Sequence, residues 1–356
     1  MSLHILLPLV LVPAILLGQL LKRFGLPVVV GQMLAGFLLG PAVFGLIEGR
    51  AEDAGKNGIH ELAEIGLCVL LFKIGLETKL PHFLRVWRRA LGIALIGMVL
   101  PFVLGLGIGM LFGWPLTAAL FLGAALTPTS IGVTAAVLEE LNAIESKESY
   151  LILGAAVVDD ILGLLLLSVL VAATSESGSL AGSAGFALIR ALGFLAVAIL
   201  AGPLVVKAMH RVMKGLRSET ILIVLAFSFL LVMAYLAEHS GLAAIIGSYA
   251  AGLAFSKRDE EHLLDALAPL TEILTPLFFV LVGSSIQFSG GPEVGWYMAL
   301  LLVLVVAVLT KAIVPWLIPG RESSPGVVGT GLIPRGEVGL IFAQVGLTVG
   351  SLSASQ

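Results

Sequence analysis

Charge is what this chain has least of. Asp, Glu, Lys and Arg make up 12% of its 356 residues, where a soluble domain carries about 25%. So little charge cannot clothe a water-soluble globule. A hydrophobic share of 58% and a mean hydropathy of +1.09 make lipid the fitting solvent. The net charge is −3, which leaves no basic excess for nucleic acid. Cysteine is reduced to Cys68, inside an apolar run. That excludes a disulfide framework and a Cys-based metal site. The six histidines (His4, His60, His82, His210, His239 and His262) are scattered and form no H-E-x-x-H pattern. They read as loop or interface residues. Long polar segments are missing too. The polar TSESGSLAGSAG near 174–185 is a connector, so the expectation is one transmembrane domain over 1–356 with no soluble domain.

What is there is a series of apolar stretches near the ~20 residues that a helix needs to cross the hydrocarbon. Twelve are expected, at 3–21, 27–47, 60–78, 90–113, 115–138, 149–173, 186–206, 219–237, 241–256, 266–287, 294–318 and 325–352. The fold class is therefore an all-α polytopic membrane protein. The first stretch lacks a basic leader and a small-residue cleavage site, so it reads as a span and not a signal peptide. Loops after odd-numbered spans hold 14 Lys and Arg, and loops after even-numbered spans hold 2. By the positive-inside rule the odd loops face the cytoplasm and the N-terminus lies outside.

Some charges fall inside the spans. Lys73, Arg190, Lys311 and Arg335 are joined by Asp159, Asp160, Glu272 and Glu337. A charge at mid-membrane costs about 2.5–3.5 kcal/mol on insertion scales and marks an ion or proton path more often than not. Arg190 sits near an expected helix end and can snorkel outward. The segment GAAVVDDILGLLLL places Asp159 and Asp160 at the middle of the sixth span. Adjacent helical residues point ~100° apart, so one carboxylate can meet a protein cation while the other faces a cavity. A buried carboxylate holds a proton or a metal cation, but not both comfortably, which is the physical core of an antiporter. Lys311, in LLLVLVVAVLTKAIVPWL, is costly to bury unless paired, and either aspartate is its natural partner. A purely structural ion pair is the competing reading, but one cation needs only one aspartate.

Two spans are interrupted. LFLGAALTPTSIGVTAAVL carries Pro128 among Thr127, Thr129 and Ser130, and GVVGTGLIPRGEVGLIFAQ carries Pro334, Arg335 and Gly336. Proline removes a backbone donor and clashes with the preceding turn. Two broken helices in opposite halves of a chain point to a transporter site. The glycine-rich G-T-G-L-I-P-R-G lacks the lysine and strand of a phosphate loop. The G-x-x-x-G at Gly36 and Gly40 reads as helix packing.

At these residues the chain resembles the cation:proton antiporter-2 family, closest to its electrogenic bacterial Na⁺/H⁺ antiporters of the NapA type. The resemblance runs through LKRFGLPVVVGQMLAGFLLGP, ELAEIGLCVLLFKIGLE, TSIGVTAAVLEEL, LGAAVVDDILGL, the Lys311 span and PRGEVGLIFA. It implies an inverted-repeat bundle in which a core moves against a dimerisation subdomain, in a homodimer of the bacterial plasma membrane. It implies that Asp160 binds Na⁺ and protons in turn, that Asp159 pairs with Lys311, and that Thr129 and Ser130 line the first break. Arg335 and Glu337 would supply the charged second break. Three features depart from the family pattern. Thr127 and Pro128 replace small apolar residues, Lys73 replaces Met or another apolar residue, and a thirteenth span is expected beyond SLSASQ.

The expected function is electrogenic exchange of Na⁺ or Li⁺ for H⁺ by alternating access, with no cofactor beyond the transported ions. An electroneutral K⁺/H⁺ exchanger on the same fold is the alternative. A channel or ligand-gated sensor lacks support, because no selectivity filter is seen. An enzyme, such as a membrane aspartyl protease, lacks its G-x-G-D signature.

Overall fold

A computed structural model describes residues 3–47, 58–78, 80–174, 180–216, 219–255, 257–286, 294–318 and 323–336, with isolated positions beyond. Thirteen helices occur among these residues. In chain order they are α1 (Leu3–Lys22), α2 (Val28–Leu39), α3 (Gly58–Glu77), α4 (Leu80–Leu111), α5 (Leu116–Ala125), α6 (Ile131–Glu140) and α7 (Lys147–Thr174). There follow α8 (Leu180–Leu216), α9 (Glu219–His239), α10 (Ala244–Leu253), α11 (Lys257–Ser284), α12 (Val294–Leu317) and α13 (Pro325–Gly331). Each of the twelve expected stretches holds a helix, and the fifth holds two. Among the described residues, seven helices are long and apolar enough to cross a membrane.

Boundaries differ where the polar ends of helices were invisible as spans. α4, α8 and α11 begin or end well outside the apolar stretch. α8 runs from Leu180, so Arg190 is not near a helix end; its guanidinium lies over the Phe186 ring at 5.7 Å. α2 is shorter than expected, because Gly40 caps it and Pro41 cannot continue the helix. α10 starts late, after a turn that places Gly241 at φ +80°.

The helices pack in two groups. α1, α2, α3, α9, α10 and α11 form the first, and α4, α5, α7, α12 and α13 form the second, with α8 between them. α6, the continuation of α5 beyond the break, bridges the groups: it packs on α7 of the second and on α2 and α3 of the first. Close approach within the first group depends on glycine. A Cβ at Gly36 would strike the Val280 carbonyl, and one at Gly283 would strike that of Met33. The Gly36–Gly40 pattern is thus the α2–α11 contact, where backbones meet without side chains between them.

Candidate functional site

The first break follows from sequence. α5 stops at Ala125, and Thr127 spends its hydroxyl on the Ala124 carbonyl at 2.9 Å. Pro128 offers no N–H. Ser130 then caps α6, its hydroxyl oxygen accepting from the Val133 N–H at 3.3 Å. α5 and α6 have ten residues each, about 15 Å apiece, so together they match a hydrocarbon layer of about 30 Å. Similarly, α13 ends at Gly331, and residues 332–336 leave the helix.

These two breaks cross and satisfy each other. The Ser130 N–H donates to the Pro334 carbonyl at 2.9 Å, and the Thr134 hydroxyl to the Gly331 carbonyl at 3.0 Å. In return, Arg335 Nη1 donates to the Pro128 carbonyl at 2.8 Å. Its Nη2 reaches the Ala307 carbonyl of α12 at 2.9 Å. Gly336 lies so close to the Ser130 side chain that a Cβ there would overlap it. Non-helical backbone survives at membrane depth only when its polar groups find protein partners in this way.

α7 carries both aspartates past the crossing. Asp159 and Asp160 are 3% and 2% exposed. Asp159 Oδ2 accepts from Lys311 Nζ at 2.6 Å and from the Thr129 hydroxyl at 2.8 Å. Lys311 is 1% exposed. Room for it is made by Gly97 on α4, where a Cβ would stand 3.2 Å from Nζ.

The structure therefore brings together Asp159, Asp160, Thr129, Ser130, Lys311 and Arg335 around Pro128 and Pro334. Thr127 turns its hydroxyl back to the Ala124 carbonyl at the end of α5. Glu337 lies outside the described residues. Sequence reasoning missed Gly97 and the Ala307 carbonyl; neither residue type announces such a role. Among the described residues no three His, Cys, Asp or Glu side chains cluster as a metal site. An ion at this crossing would be held by one or two carboxylates, hydroxyls, backbone carbonyls and water, which are the hard oxygen ligands of an alkali cation.

The other mid-span charges lie elsewhere. Lys73 of α3 pairs with Glu139 of α6 at 2.5 Å. Glu272 lines a cavity of about 550 Å³ between α1, α2, α3, α6 and α11.

A crossing of two broken helices beside a paired membrane aspartate and lysine defines a secondary transporter. Residues 8–355 match the family described as sodium/hydrogen exchanger, transmembrane, and the chain belongs to that family. It is 34% identical over 372 residues to the high-affinity Na⁺/H⁺ antiporter NhaS3 of Synechocystis, covering 94% of this chain and 80% of the relative. The Na⁺/H⁺-K⁺ antiporter GerN of Bacillus cereus is 36% identical over 355 residues, covering 97% and 88%. The fold is that of the sodium proton antiporter MjNhaP1 of Methanocaldococcus jannaschii. The two superpose with a TM-score of 0.73 at 19% identity, over 100% of this chain and 89% of the other.

Proposed function

We propose that this protein is a secondary antiporter exchanging Na⁺ or Li⁺ for H⁺ through Asp160 and Asp159. The observation that carries the reading is the buried Lys311–Asp159 pair at the crossing of the broken helices. Lys311 and Asp159 settle each other's charge. Asp160, the next residue, lies ~100° round the helix. At that depth a carboxylate holding a proton or a cation costs less than a bare one, and each occupant excludes the other. Thr129, Ser130 and the carbonyls of the crossing supply further oxygens. The dipoles of the half-helices converge there.

The second helix group is the core that carries the ion, and it moves against the first. Two copies associate through the first group in the bacterial plasma membrane. The Lys and Arg asymmetry supports a cytoplasmic α6 C-terminus, and an inward proton gradient would drive protons in and the cation out. Potassium is the second reading, supported by the naming of GerN for both Na⁺ and K⁺.

Proteoliposomes with an internal pH dye test this directly. Na⁺ and Li⁺ should drive proton movement, with a current across a planar bilayer. Asp160→Asn should abolish it while the protein still folds, because a neutral amide is cheaper to bury than a carboxylate. Exchange near the wild-type rate in that variant overturns the assignment, and exchange with K⁺ alone, without current, selects the second reading.

A further inference from the structure

The end of α6 is tied to the opposite helix group at two adjacent residues. Glu139 Oε1 receives the Lys73 ammonium of α3 at 2.5 Å. Glu140 Oε2 accepts the Val28 N–H at 2.7 Å. Val28 opens α2, whose N-cap is Pro27, a residue without a capping side chain. A helix N-terminus left uncapped exposes orphan N–H groups and the positive end of the dipole. Here a carboxylate from another helix supplies the missing cap. Lys22 of α1, 3.6 Å from Glu140 Oε1 and largely exposed, adds little.

Both contacts stand on the rim of the 550 Å³ cavity, which Glu139, Glu140 and Val28 line together. They join α6, which the Ser130–Pro334 and Thr134–Gly331 hydrogen bonds tie to the second break, to α2 and α3 of the first group. Lys73 and Glu139 are 19% and 25% exposed in their side chains. That is enough water to let the pair part, and enough burial to give it weight. No local need explains the lysine. It sits in the apolar run CVLLFKIGL, where any aliphatic residue would pack at lower cost.

We propose that Lys73 is a positioning residue for the exchange cycle. It and the start of α2 form a two-point latch on Glu139 and Glu140 that holds the transporter in the conformation whose cavity opens at the α6 C-terminus. The inference rests on the reading that the two groups move against each other. Such movement breaks both contacts when α6 travels with the second break, to which Ser130 and Thr134 bind it, while α2 and α3 stay with the first group. The latch therefore sets the balance of the two states, and through it the share of protein able to bind cation from that side. Loss of Lys73 removes one of the two contacts and should shift the ratio of states by up to about fivefold.

Cys68 is the chain's one cysteine, so Cys68→Ala with Ala136→Cys places one reporter thiol in the cavity wall. A membrane-impermeant maleimide applied from the cavity side reports the open share without any need for transport. Lys73→Met and Glu139→Gln should each slow labelling at least twofold and raise the cation KM on that side more than they change kcat. Lys73→Arg should label like the parent. The exchange Lys73→Glu with Glu139→Lys should restore most of the rate, and detergent melting checks that each variant is folded. Unchanged or faster labelling in Lys73→Met overturns the latch, as does a charge exchange that labels as slowly as the single variants. A fully active Asp160→Asn would sink the site assignment while leaving this labelling result standing.

Discussion

Lys311 and Asp159 touch at 2.6 Å with side chains 1% and 2% exposed, which makes them a desolvated ion pair in the middle of the membrane. Removing one member of such a pair strands the other and typically costs about 3–5 kcal/mol. Lys311→Ala should therefore lower the melting temperature in detergent. Adding Asp159→Asn should recover part of the loss, because the stranded charge is gone. Losses that simply add would mean that the two side chains are not coupled.

Thr129 offers a finer probe of the same carboxylate. Its hydroxyl donates to Asp159 Oδ2 at 2.8 Å, and a hydrogen bond to a charged group contributes about 1.5–3 kcal/mol. Thr129→Val keeps the shape and removes the donor. Thermal stability and exchange rate should both fall, and Thr129→Ser should restore both. Equal behaviour of Val and Ser would show that the hydroxyl is idle.

Arg335 spans two carbonyls, of Pro128 and Ala307, with separate nitrogens. Lysine has one ammonium on a flexible stem and cannot reproduce that fork. Arg335→Lys should thus melt lower than the parent despite keeping the charge. Chemical denaturation or thermal melting in detergent decides it. A variant as stable as the parent would assign Arg335 a purely electrostatic role.

Gly336 and Gly326 form a matched pair. A methyl at Gly336 would overlap Ser130, whereas one at Gly326 meets only the Ser324 hydroxyl at 4.0 Å. Gly326 is the second residue of α13, where alanine fits the helix at no cost in propensity. Gly326→Ala should leave exchange intact, and Gly336→Ala should impair it by forcing the breaks apart. If both variants exchange normally, the contact between the breaks is not required.

The spans were legible because each is a long apolar run, and the breaks because proline declares itself. The Lys311–Asp159 pair was legible for an energetic reason: two opposite charges in lipid have few other places to go. The lengths of α4, α8 and α11 were not, since their polar extensions follow no hydrophobic pattern. Lys73 was conspicuous, but its partner was not, because Glu139 follows an apolar segment and reads as an ordinary helix end. Gly97 carries no signal at all in a chain with 42 glycines.

The crossing of the two breaks also constrains how the protein is made. The Thr134–Gly331 and Arg335–Pro128 contacts join residues 197 and 207 positions apart. At about 5–20 residues per second, a ribosome needs roughly 10–40 s to travel that distance. Throughout that interval the Pro128 segment has been synthesised, and its partner does not yet exist. Its open backbone must be sheltered by the insertion machinery, by lipid headgroups or by a temporary fold. Slowing synthesis anywhere between the two breaks should lengthen the exposure and increase quality-control loss of this chain, although every residue in the finished protein would be unchanged.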